Sequence, residues 1–150
     1  MSRFVASWFG SGLILGKLRG SDLGSGTVGA LLALPMSLLL GHYLGWVAQV
    51  IAAVVVTSIG LVSTRRHLDE GDAGWIVIDE AAGTFLATVG LAIGPALAAF
   101  AVFRAADIFK QAFPGVSQAE QLPGEWGIAA DDLVAGLYGL AAGHIIQALM

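Results

Sequence analysis

Residues 23–64 read LGSGTVGALLALPMSLLLGHYLGWVAQVIAAVVVTSIGLVST, and no Asp, Glu, Lys or Arg interrupts them. The run is too long for one helix buried in a soluble core. Its length suits two membrane spans of ~20 residues each. The first helix is predicted from near Thr27 to about Leu40, with Pro35 inside it as an expected kink. Gly41, His42 and Tyr43 make the turn, and the second helix runs from about Gly45 to Arg65. Two further stretches lack formal charge, one between Ala81 and Phe103 and one from Leu133 to Met150.

Working outward, the chain is 57% hydrophobic and 12% charged, against about 45–50% and about 25% for a soluble domain. We read a single domain over residues 1–150. Its expected fold is an all-α integral membrane bundle of about four to five membrane helices plus a short N-terminal interfacial or re-entrant helix. That first segment, Phe4 to Gly16, is apolar but is followed by Lys17 and Arg19, unlike a cleaved signal peptide. As a helix it would cover only ~20 Å. The absence of cysteine removes disulfides, zinc–thiolate sites and a cysteine nucleophile.

The stretch from Ala81 to Phe103 can be a single span or a hairpin broken at Gly94-Pro95. A single span would put Asp79 and Arg104 on opposite faces. The hairpin keeps the polar groups together and is preferred. It gives a third helix from Trp75 to Gly94-Pro95 and a fourth from Ala96 to Gln111. A loop over residues 113–127 and a fifth helix from Ile128 to Leu149 follow. All seven basic residues, Arg3, Lys17, Arg19, Arg65, Arg66, Arg104 and Lys110, then lie on one face. The excess of basic residues on cytoplasmic loops makes that face cytoplasmic. Small residues recur at helical spacing, Gly83, Ala87 and Gly90 in one row and Gly136, Gly139 and Gly143 in another. Such rows allow close approach of helices, within the chain or in a homo-oligomer.

Four groups of residues carry potential chemistry. Asp79-Glu80 sits about one turn into an apolar helix, where a carboxylate costs roughly 2.5–3.5 kcal/mol at the bilayer centre and less near the interface. A divalent cation would compensate the pair, and a polar anchor at a helix start is the alternative. Asp131-Asp132 opens the fifth helix, where capping alone could account for it. Two acidic pairs facing each other would repel unless a metal lay between them, and hard oxygen donors suit magnesium. Arg104, Asp107 and Lys110 share one side of the fourth helix. They could recognise phosphate, with Asp107 orienting Arg104 or binding metal, or form a salt-bridge ladder at the membrane edge. Gly24-Ser25-Gly26-Thr27-Val28-Gly29 is a glycine-rich turn before a helix, able to cradle an anion. His42, His67 and His144 stand alone and are assigned no role; His67 is expected to be solvated. The four tryptophans suit interface positions.

These segments resemble the phosphatidylglycerophosphatase A family. Asp72-Ala73-Gly74-Trp75-Ile76-Val77-Ile78-Asp79-Glu80-Ala81-Ala82-Gly83 is similar to its D-x-G-x-I-V-x-D-E-x-x-G motif. Residues 103–110, Phe-Arg-Ala-Ala-Asp-Ile-Phe-Lys, are similar to its F-R-x-x-D-x-x-K motif, and Gly127 to Asp132 with Ala135-Gly136 to a third. Phe9-Gly10-Ser11-Gly12-Leu13 and Gly26-Thr27 with Gly29 resemble its N-terminal motifs. Departures fall in the loops. Ser25 stands for the family's proline, Gln111 for another proline, and residues 123–126 carry no histidine.

The resemblance implies a magnesium-dependent integral membrane phosphatase that converts phosphatidylglycerophosphate to phosphatidylglycerol and phosphate, in the bacterial inner membrane with its site on the cytoplasmic face. It implies catalytic roles for Asp79, Glu80, Asp107, Asp131 and Asp132. Asp79, Glu80, Asp131 and Asp132 are the expected magnesium ligands, and Thr27, Arg104 and Lys110 the expected phosphate ligands. Water attack and a transient aspartyl-phosphate are both open. The expected partners are the phospholipid substrate and membrane lipid, not nucleic acid. A small carrier for a divalent cation or anion, or another lipid head-group enzyme, are the alternatives. A carrier predicts polar groups on both sides and repeated halves, and a CDP-linked phosphotransferase predicts a D-G-x-x-A-R pattern that is absent.

Overall fold

The computed structural model describes residues 3–70 and 73–150; the side chains of Arg19, Leu68, Asp69 and Glu70, and all of Met1, Ser2, Gly71 and Asp72, lie outside the description. The expected placements of the Arg19 side chain and of Asp72 therefore lie outside it too. Among the described residues the chain is helical and has no strand. The elements are α1 (Arg3–Ala6), α2 (Ile14–Arg19), α3 (Ser25–Leu44), α4 (Trp46–Thr64), α5 (Ile78–Ala87), α6 (Ile93–Ile108), α7 (Val116–Glu120) and α8 (Glu125–Leu149).

Three helices are long and apolar enough to cross a membrane, Ser25–Leu44, Trp46–His67 and Glu125–Leu149. α3 and α4 form the hairpin that residues 23–64 predict. Their outward faces carry Leu31, Leu32, Leu39, Val50, Ile51, Val54 and Val62, all exposed as a lipid-facing surface would be. The helix continues through Pro35 to Leu44. The shorter α5 and α6, about 15 and 24 Å long, form a second hairpin packed against α8, with α5 also covered by α3 and α4 and α6 exposing Ile93, Leu97 and Ile108.

That hairpin turns at residues 88–92, earlier than Gly94-Pro95. Pro95 lies in the first turn of α6, where its missing N–H is no loss because first-turn N–H groups lack helical partners anyway. The turn itself is held by side chains from two other helices. Gln49 Nε2 donates to the carbonyls of Ser37 (3.0 Å) and Thr88 (3.2 Å), and its Oε1 accepts from Gly90 N–H at 2.9 Å. From α8, Gln147 accepts from Ala92 N–H at 2.6 Å and donates to the Gly90 carbonyl at 3.1 Å. His144 Nε2 lies 3.0 Å from the Val89 carbonyl. Non-helical backbone inside a membrane protein persists only when its polar groups are satisfied within the protein. Here two glutamines and a histidine, none assigned a role from sequence, satisfy them.

The N-terminal segment is two short helices separated by a bend, not one interfacial helix. Trp8, Phe9 and Gly10 all have positive φ, 46°, 58° and 87°. The bend folds the segment onto residues 75–77. Val77 N–H donates to the Ala6 carbonyl at 3.0 Å, and Gly12 lies so close to the Trp75 carbonyl that a Cβ there would collide with it. Trp8 and Trp75 are thereby buried, contrary to an interface position, while Trp46 and Trp126 are exposed. His67 is half-buried, its ring 5.0 Å edge-on from Trp75, rather than solvated.

Candidate active site

The starts of α3, α5 and α8 and the end of α6 meet at one end of the bundle. α5 begins at Ile78, later than the Trp75 start the sequence suggests, because docking on the N-terminal segment holds residues 75–77 out of the helix. Asp79 and Glu80 therefore occupy the first turn of α5, where the helix dipole favours negative charge. α8 begins at Glu125, earlier than Ile128. Asp131 and Asp132 consequently lie about two turns inside it, and capping does not account for them. Asp132 stands about 10 Å along the axis from Glu125, whose carboxylate pairs with Arg65 at 3.8 Å near the rim. The carboxylates are thus recessed beneath that edge.

Small residues set how closely α5 and α8 approach. Gly83 lies four residues after Asp79, and Gly136 four after Asp132, so each glycine shares a face with its carboxylate one turn along. A Cβ at Gly136 would fall 2.9 Å from the Gly83 carbonyl, and one at Gly83 would fall 2.9 Å from the Asp132 carbonyl. Gly139 and Gly143 press on α6 in the same way, so this row packs within the chain.

This approach gathers Asp79, Glu80 and Asp132, each offering a carboxylate oxygen, with these oxygens all within 4.8 Å of one another. Asp79 and Asp132 are buried, Glu80 nearly so. Among the described residues, Glu80 Oε2 and Asp132 Oδ1 are buried without a hydrogen-bond partner. An unsatisfied buried acceptor costs about 1–3 kcal/mol, more when charged. Buried oxygens, mutual repulsion and a purely hard-oxygen donor set fit a magnesium ion, which binds through a few carboxylates and keeps waters for substrate phosphate.

Asp131 points elsewhere. Its Oδ2 accepts from Lys110 Nζ at 2.6 Å, and Lys110 also reaches Glu120 Oε1 at 2.8 Å. Burial by itself would lower the Lys110 pKa, but the bonds to Asp131 and Glu120 outweigh it and hold the ammonium above the usual lysine range. Asp131 Oδ1 remains buried and, among the described residues, unpartnered. Glu120 was not anticipated. It belongs to α7, inside the stretch read as loop, which is pinned to α8 by Tyr138 Oη donating to the Pro114 carbonyl at 2.8 Å. The available signal was that Glu120 and Glu125 are the two charged residues of that stretch. Arg104, also buried, pairs through Nη1 with Asp107 at 2.9 Å and donates from Nη2 to Thr27 Oγ1 at 3.3 Å.

A cavity of about 160 Å³ opens onto Asp79, Glu80, Asp107, Lys110, Asp131 and Asp132. All eight residues expected at the site from sequence therefore lie at this end. Six line the cavity, while Arg104 and Thr27 stand behind Glu80. A Cβ at Gly26 would overlap the Glu80 carboxylate, so the first turn of α3 abuts the acidic cluster directly.

The fold and site define an integral membrane protein with its ionisable chemistry recessed at one end of the bundle. The chain belongs to the phosphatidylglycerophosphatase A family, whose family model matches residues 4–147. It is accordingly a phosphoric monoester hydrolase acting on phosphatidylglycerophosphate. No curated protein and no solved structure matches the chain.

Proposed function

We propose that the chain releases the terminal phosphate of phosphatidylglycerophosphate in a magnesium-dependent reaction, at the cytoplasmic face of a bacterial inner membrane. The observation that carries the metal assignment is the convergence of Asp79, Glu80 and Asp132 within 4.8 Å, with unpartnered oxygens on Glu80 and Asp132. These three would hold the ion, with the free Oδ1 of Asp131 as a further donor. When bound, the ion supplies positive charge that polarises the phosphoryl oxygens.

The remaining work belongs to the protein's own groups. Lys110, protonated throughout the physiological range, places a cation beside the carboxylates and neutralises phosphoryl charge. Asp131 and Glu120 fix its position. Arg104 and Thr27 offer a guanidinium and a helix start to the substrate from behind Glu80, and Asp107 orients Arg104. The recessed pocket limits water and lets the head group descend between helices while the acyl chains stay in lipid. The cytoplasmic assignment is supported by the basic residues Arg65, Arg104 and Lys110, which are held at the carboxylate end by Glu125, Asp107 and Asp131. Against a carrier, the polar cluster at the other end is neutral and hydrogen-bonded, formed by Ser37, Gln49 and Thr88.

The test is Asp132→Asn assayed over a magnesium titration. The expected result is a loss of at least about a hundredfold in kcat/KM at low magnesium, partly recovered at high magnesium. An unchanged magnesium dependence would overturn the ligand assignment.

A further inference from the structure

Phosphatidylglycerophosphate carries two phosphates, the terminal monoester and the diester that joins its head-group glycerol to the lipid. Two cavities at this end of the bundle share Glu80, while a third, of about 590 Å³, opens on the far side of Lys110 and Glu120 and does not reach Glu80. Beside the carboxylate pocket lies a larger one of about 660 Å³, reached by Gly24, Gly26, Thr27, Arg104 and Ile108. Glu80 is common to both and forms the wall between them. Each cavity has its own cation, Lys110 in the first and Arg104 in the second.

The second cavity has the chemistry of an anion site without that of a hydrolytic one. Arg104 is 9% exposed, and its Nε and Nη1 are buried without a hydrogen-bond partner among the described residues. Nη1 is ion-paired with Asp107 at 2.9 Å, and Nη2 donates to Thr27 Oγ1 at 3.3 Å. In the first turn of α3 the Ser25 N–H goes to the Asp22 carbonyl and the Val28 N–H to the Gly24 carbonyl, so Gly26 and Thr27 are the positions whose N–H groups a helix start leaves to an anion. Left-handed Gly24 precedes them. Asp22 is the other carboxylate lining this cavity, and it is not in the convergent group. Exposed Leu23 and Ile108 at the rim continue the cavity toward lipid.

We propose that the Arg104 cavity is the subsite for the diester phosphate of the substrate. It would hold the phosphate that is not cleaved, set the reach of the head group over Glu80, and distinguish a two-phosphate lipid from one with a single terminal phosphate. This rests on the reading of the carboxylate pocket as the place of hydrolysis.

The test compares phosphatidylglycerophosphate with phosphatidic acid, which has a monoester and no diester, in mixed micelles. Phosphatidylglycerol, which has the diester alone, is the inhibitor, and inorganic phosphate is the control anion. Arg104→Gln is expected to lose at least about tenfold more kcat/KM on the two-phosphate lipid than on phosphatidic acid, as removal of a charged hydrogen-bond donor would. The Ki of phosphatidylglycerol should rise by a similar factor, that of inorganic phosphate much less. Arg104→Lys should restore part of the preference. Thr27→Val, which keeps the arginine, should shift the same two readouts in the same direction if Arg104→Gln does not fold. Equal losses on both lipids with an unchanged Ki for phosphatidylglycerol would overturn the subsite. Failure of the wild type to release phosphate from either lipid would instead overturn the hydrolytic reading beneath it.

Discussion

Asp131 and Asp132 are adjacent in sequence and oppositely employed. A step of one residue turns a helix by about 100°, so Asp132 faces α5 and Asp131 faces Lys110. The same turn separates their predicted phenotypes. Lys110→Met removes the hydrogen-bond donor of a buried carboxylate, and should lower stability by about 1–3 kcal/mol, read as a fall in Tm in detergent, with Lys110→Arg retaining most of it. Asp132→Asn removes one of three crowded acids and should leave Tm unchanged or raise it while activity falls. A large drop in Tm for Asp132→Asn would mean that the acidic cluster serves the fold. The acidic pairs themselves were legible, because charge inside apolar sequence is conspicuous. Their division of labour was not, because it depends on Glu120 and on where α8 starts. Glu125, three residues ahead of Ile128, carries the helix start back to the rim by just under a turn, so that both aspartates lie about two turns inside α8.

Among the elements, the contact between α5 and α8 controls the site. Gly83→Ala would put a methyl 2.6 Å from the Phe103 ring and 2.9 Å from the Asp132 carbonyl. Overpacking of this kind costs typically about 1–3 kcal/mol, and here relief requires the helices to part, which separates Asp79 from Asp132. Gly83→Ala should therefore weaken magnesium activation as well as stability, whereas Gln49→Leu should lower Tm with a smaller effect on activity. Gln49 serves the turn at the far end, and its removal leaves Gly90 N–H unpaired. Equal activity losses for the two variants would contradict this separation. The small-residue rows were visible in the sequence, and their use within the chain follows from the α5–α6 hairpin. The turn was misplaced by several residues because Gly94-Pro95 reads as a break, whereas the true turn is fixed by Gln49 and Gln147 from distant helices. The folding of Trp8 to Gly10 onto residues 75–77 was equally hidden, since no local pattern announces two non-glycine residues at positive φ.

For the whole molecule, the distribution of charge along the chain was enough to foresee a membrane bundle with one polar end. Uncharged stretches that pair as hairpins must return their flanks to one side, and the α3–α4 and α5–α6 pairs do so. The absence of cysteine makes the orientation directly testable. Single cysteines at exposed Gln111, near the carboxylate end, and at exposed Tyr43, in the last turn of α3, should react with an impermeant thiol reagent from opposite sides. Gln111→Cys should be labelled in inside-out vesicles and Tyr43→Cys in right-side-out ones. The reverse pattern would move the site to the outer face.

The central claim is that hydrolysis depends on magnesium held by Asp79, Glu80 and Asp132. The most direct measurement is phosphate release from phosphatidylglycerophosphate in mixed micelles by the wild type and Asp132→Asn, first with chelator and then with magnesium added back. The account predicts no release with chelator, full recovery in the wild type, and recovery in the variant only at markedly higher magnesium. Undiminished release by the wild type in excess chelator would contradict it.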